Sequence, residues 1–237
     1  MNKRWEYIGL ILDILSYTEQ MFPLSAAALI VFLVLRPMRK RRLHRLKLTS
    51  SGWREAALAL FVVFCAGLAA LTLFPANLWA YVFDWFFRRD YWNWGWGVSG
   101  WRLTDFYPGW EETASQFAHL SEILTPFEEI SRALNRRSYW LLFMLLGNII
   151  MFMPLGFFPA LLWRRWRWWK SLLAGFCTSS AIEFIQFFIG RSTDIDDVIL
   201  NTTGAAVGFW VFCLLRALLP TSIEKFKCQP RGGDYHG

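Results

Sequence analysis

Residues 168–219 read WWKSLLAGFCTSSAIEFIQFFIGRSTDIDDVILNTTGAAVGFWVFCLLRALL, and this stretch decides the fold. It holds two apolar runs, Trp168 to Ile189 and Ile195 to Leu219. Each reaches the about 20 residues that a helix needs to cross the hydrocarbon core of a bilayer. Between them lies a short polar run, Gly190-Arg191-Ser192-Thr193-Asp194-Ile195-Asp196-Asp197. At 100° per residue, Gly175, Ser179, Glu183, Gln186 and Gly190 share one arc of about 80° on the first helix. Asp194, Asp197, Asn201, Gly204 and Gly208 share a similar arc on the second.

Working outward, three more runs have spanning length: Ile14 to Leu35, which Glu19 and Gln20 interrupt near its start; Ala56 to Phe74, which stops at Pro75; and Tyr139 to Trp163. Ahead of the first run, Trp5, Ile8, Leu12 and Leu15 share a helical face, predicting a short interfacial helix over Trp5 to Leu15. Asp13 breaks the early apolar stretch and no small-residue cleavage site follows it, so a cleaved signal peptide is not expected. The expected fold is all-α: a polytopic membrane helical bundle with about five transmembrane helices plus interfacial helices. Residues 1–54 supply the interfacial helix, the first span and a basic loop. Residues 55–219 form the main four-span domain, and 220–237 a tail.

Composition agrees with a membrane protein. The 237 residues are 55% hydrophobic, 19% aromatic and only 18% charged, against about 45–50% apolar and 25% charged in soluble domains. The net charge of +7 would suggest nucleic acid if it were spread evenly, but it is not. The links at 36–54 and 164–170 and the C-terminal tail carry +13, the opposite side carries −5, and Glu183 lies within a span. Positive charge collects on the cytoplasmic side, which predicts an N-terminus outside and a C-terminus inside. The basic block from Arg36 to Lys47 is expected to meet anionic lipid rather than nucleic acid. Cys65, Cys177 and Cys213 fall in spans and Cys228 in the tail, so no outer-side disulfide is expected. His44, His119 and His236 are scattered without metal-ligand spacing.

The outer insert, residues 76–138, is rich in Trp, and Leu78, Val82, Trp85 and Phe86 keep helical spacing there. They predict an aromatic interfacial helix or a platform for a lipid-linked or glycan ligand. Glu111 to Leu124 and Phe127 to Arg137 read as two short helices broken at Pro126.

Polar residues within spans concentrate at one depth. Counting about 1.5 Å per residue from the outer ends, Asn148 lies about 13 Å down, and Glu183 and Asn201 about 10 Å. This predicts an outward-facing polar pocket from Asn148, Gln186, Arg191, Asp194, Asp197 and Asn201, with Glu183 at its floor and Arg191 as partner for the aspartates. The plainer reading is interhelical glue, worth about 0.6 kcal/mol per polar contact, with Gly204 and Gly208 as packing surface. Glu183 resists that reading, because an ionisable side chain inside a span costs about 2.5 kcal/mol or more and so must face a cavity or a partner. Asp196 lies off the shared face and is expected to be solvated.

The same residues resemble the VanZ-like family: Asn148-Ile-Ile-Met-Phe152-Met-Pro154-Leu-Gly156, Ser180-Ala-Ile-Glu183-Phe-Ile-Gln186, Gly190-Arg191 through Asn201, and Gly204-Ala-Ala-Val-Gly208, with Leu124-Thr-Pro126-Phe127 similar to a Pro-Phe element before the third helix. The resemblance covers about residues 58–215. It implies an integral protein of the bacterial cytoplasmic membrane, associated in its best-known members with lowered susceptibility to teicoplanin and related lipoglycopeptides. Three functions follow as expectations. One is a binding protein that modulates the envelope, with a lipid-linked cell-wall precursor or the lipoglycopeptide as ligand. Another is a membrane enzyme with Glu183 as acid or base and the Asp194/Asp197 pair on a divalent cation. The last is a transporter, for which a homo-oligomer would restore the symmetry that five spans lack. The residues leave open whether a cofactor is used.

Overall fold

The computed structural model describes residues 3–74, 110–123, 125–135, 139–189 and 193–230. Five helices among them are long and apolar enough to cross a membrane: Gln20–Arg45, Gly52–Leu73, Leu141–Leu162, Trp168–Phe188 and Ile195–Leu218. Side chains that a soluble protein would hide are open on their flanks, among them Val34, Phe184, Trp210 and Leu218, and a bilayer is the solvent that suits them. The fold is an all-α membrane bundle.

The first helix, α1, runs unbroken over Lys3–Arg45. The separate interfacial helix expected at Trp5 to Leu15 is instead continuous with the span, because residues 14–20 contain neither Gly nor Pro to end it. Pro23 and Pro37 sit inside α1; each removes one backbone donor, which membrane helices tolerate. Much of the expected basic loop is thus the end of α1, where Arg42 and Arg45 meet the negative pole of the helix dipole. A tight turn through Lys47, at φ 54°, leads to the two-residue strand β1, Leu48–Thr49.

Helix α2, Gly52–Leu73, starts where the Ser51 hydroxyl accepts from the Arg54 N–H at 3.1 Å. It returns along α1 as a hairpin fastened by polar contacts. Buried Glu55 accepts from Arg39 at 2.5 Å and from Ser50 at 2.6 Å, and Ser25 donates to the Val63 carbonyl at 3.2 Å. Gln20, read from sequence as an interruption, is buried and donates to the Ala70 and Phe74 carbonyls at 3.0 and 2.7 Å. It satisfies carbonyls that the end of α2 leaves open.

Among the described residues, three short helices precede the remaining spans: α3 (Trp110–Ala118), α4 (Leu120–Ile123) and α5 (Glu128–Asn135). The expected pair is therefore three, the first being divided at His119. The predicted aromatic helix near Leu78 to Phe86 lies outside the described residues.

The core is the triplet α6 (Tyr139–Leu162), α7 (Trp168–Phe188) and α8 (Ile195–Leu218). The close pair is α6 with α8. A Cβ added at Gly156 would overlap the Ala205 carbonyl oxygen, one at Gly204 that of Ile149, and one at Gly208 that of Met153. Absent side chains let the two backbones touch, which is how membrane helices gain contact area. Phe152, Leu155, Ile182 and Ala205 fill the middle of the bundle with Leu68 of α2. Phe32, Leu58, Leu161 and Phe212 fill its basic end.

The tail folds back onto this end. Helix α9, Pro220–Glu224, leads to β2, Gln229–Pro230, which pairs antiparallel with β1 in the register Leu48↔Pro230 and Thr49↔Gln229. Ser51 also donates through its hydroxyl to the Lys225 carbonyl.

Candidate functional site

The predicted polar residues lie where α7 ends and α8 begins. The Asp194 side chain caps α8 by accepting from the Asp196 N–H at 2.9 Å, while its own N–H donates to Glu183 Oε2 at 3.2 Å. Glu183, 8% exposed, thus holds the start of the next span. One turn deeper, buried Asn201 donates to the Ser179 hydroxyl at 2.8 Å. The two helical arcs read from sequence therefore face each other as a ladder, with Glu183 and Ser179 on α7 opposite Asp194 and Asn201 on α8. Asp197 turns to α6 and accepts from Asn148 Nδ2 at 2.6 Å.

Three predicted residues behave differently. Gln186 donates to the Thr72 carbonyl at 2.9 Å, tying α7 to the end of α2 and away from the acidic cluster. Arg191 lies outside the described residues. Asp196, expected in solvent, is 0% exposed. Its carboxylate accepts from the Phe127 N–H at 2.5 Å and the Ile130 N–H at 3.2 Å. It caps α5 from another helix and supplies the acceptor that the orphan N–H groups of a first turn require. Phe127 reaches this arrangement at φ 67°. The signal in the sequence was Thr125-Pro126-Phe127 ahead of Glu128, a helix start with no N-cap side chain of its own.

The single expected pocket is divided. On one side of Asp194, α3, α4, α7 and α8 border an open cavity of about 360 Å³, walled by Phe117, Phe184, Phe187 and Phe188 with Glu183 and Asp194 as its acids. On the other, α5, α6 and α8 enclose about 290 Å³, lined by Leu141, Met144, Asn148, Asp194 and Asp197. Helix α3 roofs the first cavity. Buried Thr113 donates to the Phe188 carbonyl at 3.3 Å, and the Phe117 ring meets Phe187 edge-on at 4.7 Å. Sequence reasoning missed this roof, because a nine-residue helix shows too few turns for periodicity to reveal its partner.

The arrangement offers hydrogen-bond acceptors beside an apolar wall. Oε1 of Glu183 makes no hydrogen bond to a described residue, and neither does the buried Asn201 Oδ1. Among the described residues, no group of three or more His, Cys, Asp or Glu stands together to hold a metal ion.

Comparison with known proteins gives a family match. No curated protein and no solved structure matches the chain. A family model described as VanZ/LLP1 matches residues 103–216, which takes in the capped helix α5, the glycine seam and every residue of the acidic ladder. The chain is a multi-pass membrane protein that carries a VanZ-like family domain over residues 103–216.

Proposed function

We propose that this protein works at the outer face of the bacterial cytoplasmic membrane as a binding protein for an amphipathic, lipid-linked envelope component. In so doing it lowers susceptibility to lipoglycopeptides such as teicoplanin. The reading rests on one observation: the cavity of about 360 Å³ joins a phenylalanine-lined wall to the carboxylates of Glu183 and Asp194. An acyl or polyprenyl chain suits the wall, and a sugar hydroxyl or an amine suits the acids. Asn148, Asp197 and Asn201 hold the helices in place around this cavity, and Gln186 anchors α7 to α2.

The test is lipoglycopeptide susceptibility in cells making Glu183→Gln, Asp197→Asn or Asn201→Ala at wild-type membrane levels. Each variant is expected to lose protection that the wild-type gene confers. Unchanged susceptibility in all three sinks the resistance reading.

A second reading, an enzyme acting on a lipid-linked substrate with Glu183 as acid or base, is favoured by the Oε1 atom left without a bond to a described residue. Mass spectrometry of envelope lipids decides between the two. An enzyme predicts a species that accumulates in Glu183→Gln cells, whereas a binding protein leaves the lipid profile unchanged.

A further inference from the structure

At the basic end of the bundle, far along α6 from Asn148, the tail returns a lysine into the protein. Lys227 is 4% exposed. Its Nζ donates to the Ala160 carbonyl at 2.5 Å and the Trp163 carbonyl at 3.4 Å, and lies 5.1 Å from the centre of the Phe212 ring. Bonding to the carbonyls that end α6 explains why a lysine is tolerated there. It does not explain what surrounds it.

A cavity of about 90 Å³ adjoins the ammonium, lined by Arg164, Arg216, Glu224 and Lys227 together with Ala160, Trp163, Trp166 and Phe212. A single water needs about 10–15 Å³, so this space takes a group of several heavy atoms. Three cations and one anion line it. Glu224 is already engaged by Arg164 at 3.0 Å, and Arg216 makes no hydrogen bond or ion pair to a described residue. The cluster repels itself. Burial pushes Lys227 down to about 8, Arg216 and Arg164 push the same way, and Glu224 opposes them.

We propose that this cavity is an anion site for a phosphate group, bound by the guanidinium groups of Arg164 and Arg216 and the ammonium of Lys227. Guanidinium groups present paired donors to phosphate oxygens and an ammonium adds a point charge. An anion here converts the repulsion of three cations into shared attraction. The indoles of Trp163 and Trp166 flank the site, as they would at the level of lipid headgroups. The phosphate comes from an anionic lipid headgroup or from free phosphate, and both present the same oxygens.

The experiment uses the full chain, purified in detergent and depleted of lipid, with thermal unfolding as readout. The probes are phosphatidylglycerol against phosphatidylcholine in mixed micelles, and sodium phosphate against sodium chloride at equal ionic strength. Arg216→Gln is the test variant, since an exposed side chain without a polar partner is dispensable for folding. Arg41→Gln removes the same charge from exposed helix surface at that end and is the control. Stabilisation by phosphatidylglycerol that Arg216→Gln weakens about tenfold, and Arg41→Gln does not, supports a lipid headgroup. The same pattern with sodium phosphate supports free phosphate. If neither probe stabilises the wild type, or both variants respond alike, the site is overturned.

Discussion

Replacing Gly204 with alanine tests whether the α6–α8 seam keeps the polar residues in register. The new Cβ would overlap the Ile149 carbonyl oxygen and lie 3.0 Å from both the carbonyl carbon and Cα of Ile149. Carbon atoms settle near 3.5–4.0 Å, so the helices must part locally by about 1 Å. Asn148 precedes Ile149 and donates to Asp197 at 2.6 Å. The same displacement stretches that bond to about 3.6 Å, beyond hydrogen-bonding range. Overpacking costs about 1–3 kcal/mol and the lost polar contact about 0.6 kcal/mol, while alanine's better helix propensity returns up to about 1 kcal/mol. The net loss is about 1–3 kcal/mol, or roughly 2–12 °C in melting temperature at this chain length. Thermal unfolding in detergent of Gly204→Ala, Asn148→Ala and the double variant measures it. Because the first substitution already breaks the bond, the double variant should lose clearly less than the sum. Gly147→Ala, with nothing within 4 Å of its added Cβ, is the control and should melt no lower than wild type. A Gly204→Ala protein that melts with the wild type, or strict additivity in the double variant, refutes the reasoning.

Further outcomes follow from other contacts. Asp196→Ala strips the Phe127 and Ile130 N–H groups of their acceptor and should cost about 1–2 kcal/mol; limited proteolysis should then cut faster within 125–135, and unchanged cleavage would count against the cap. Glu55→Ala leaves Arg39 half-buried without its carboxylate and should destabilise by about 1–3 kcal/mol, whereas an Arg39→Met/Glu55→Leu pair should recover most of the loss in the same melt. Lys227 has an ordinary value of 10.5 in the unfolded chain and about 8 in the fold. From pH 8 to 10.5 the unfolded chain binds more protons at this group, so stability from it rises with pH across that window and is level below it. In lipid-depleted, phosphate-free detergent, the melting-temperature difference between wild type and Lys227→Met should climb from pH 8 to 10; a difference that stays constant contradicts the burial of a charged lysine.

Much of this fold is legible in the residues, and so is part of the site. Spans declare themselves by length and apolarity, so four of the five spans have both ends within a few residues of their predicted positions. The facing arcs on α7 and α8 were legible because polar side chains in lipid are rare enough for each to signal a contact. Direction within an arc was not. Gln186 shares a helix face with Glu183 but reaches a backbone carbonyl on α2, which no side-chain pattern records. Asp196 was misread for the same reason, since its partners are main-chain N–H groups of Phe127 and Ile130. The unity of α1 was hidden by Glu19 and Gln20, residues that look like interruptions until α2 supplies carbonyls to Gln20. Lys227 reads only as part of a tail because its burial depends on a β1–β2 pairing separated by about 180 residues.

The glycine seam also bears on how the protein is made. A chain emerging from the ribosome delivers α6, then α7, and only then α8, yet the surface that α6 offers at Ile149 and Met153 is shaped for Gly204 and Gly208. Until α8 enters, that surface lacks its glycines and the Asn148 amide lacks its Asp197 acceptor. Assembly of the triplet therefore waits on the synthesis of α8. A polypeptide truncated between Phe188 and Asp197 would keep the earlier spans but leave the Asn148 amide without its Asp197 acceptor.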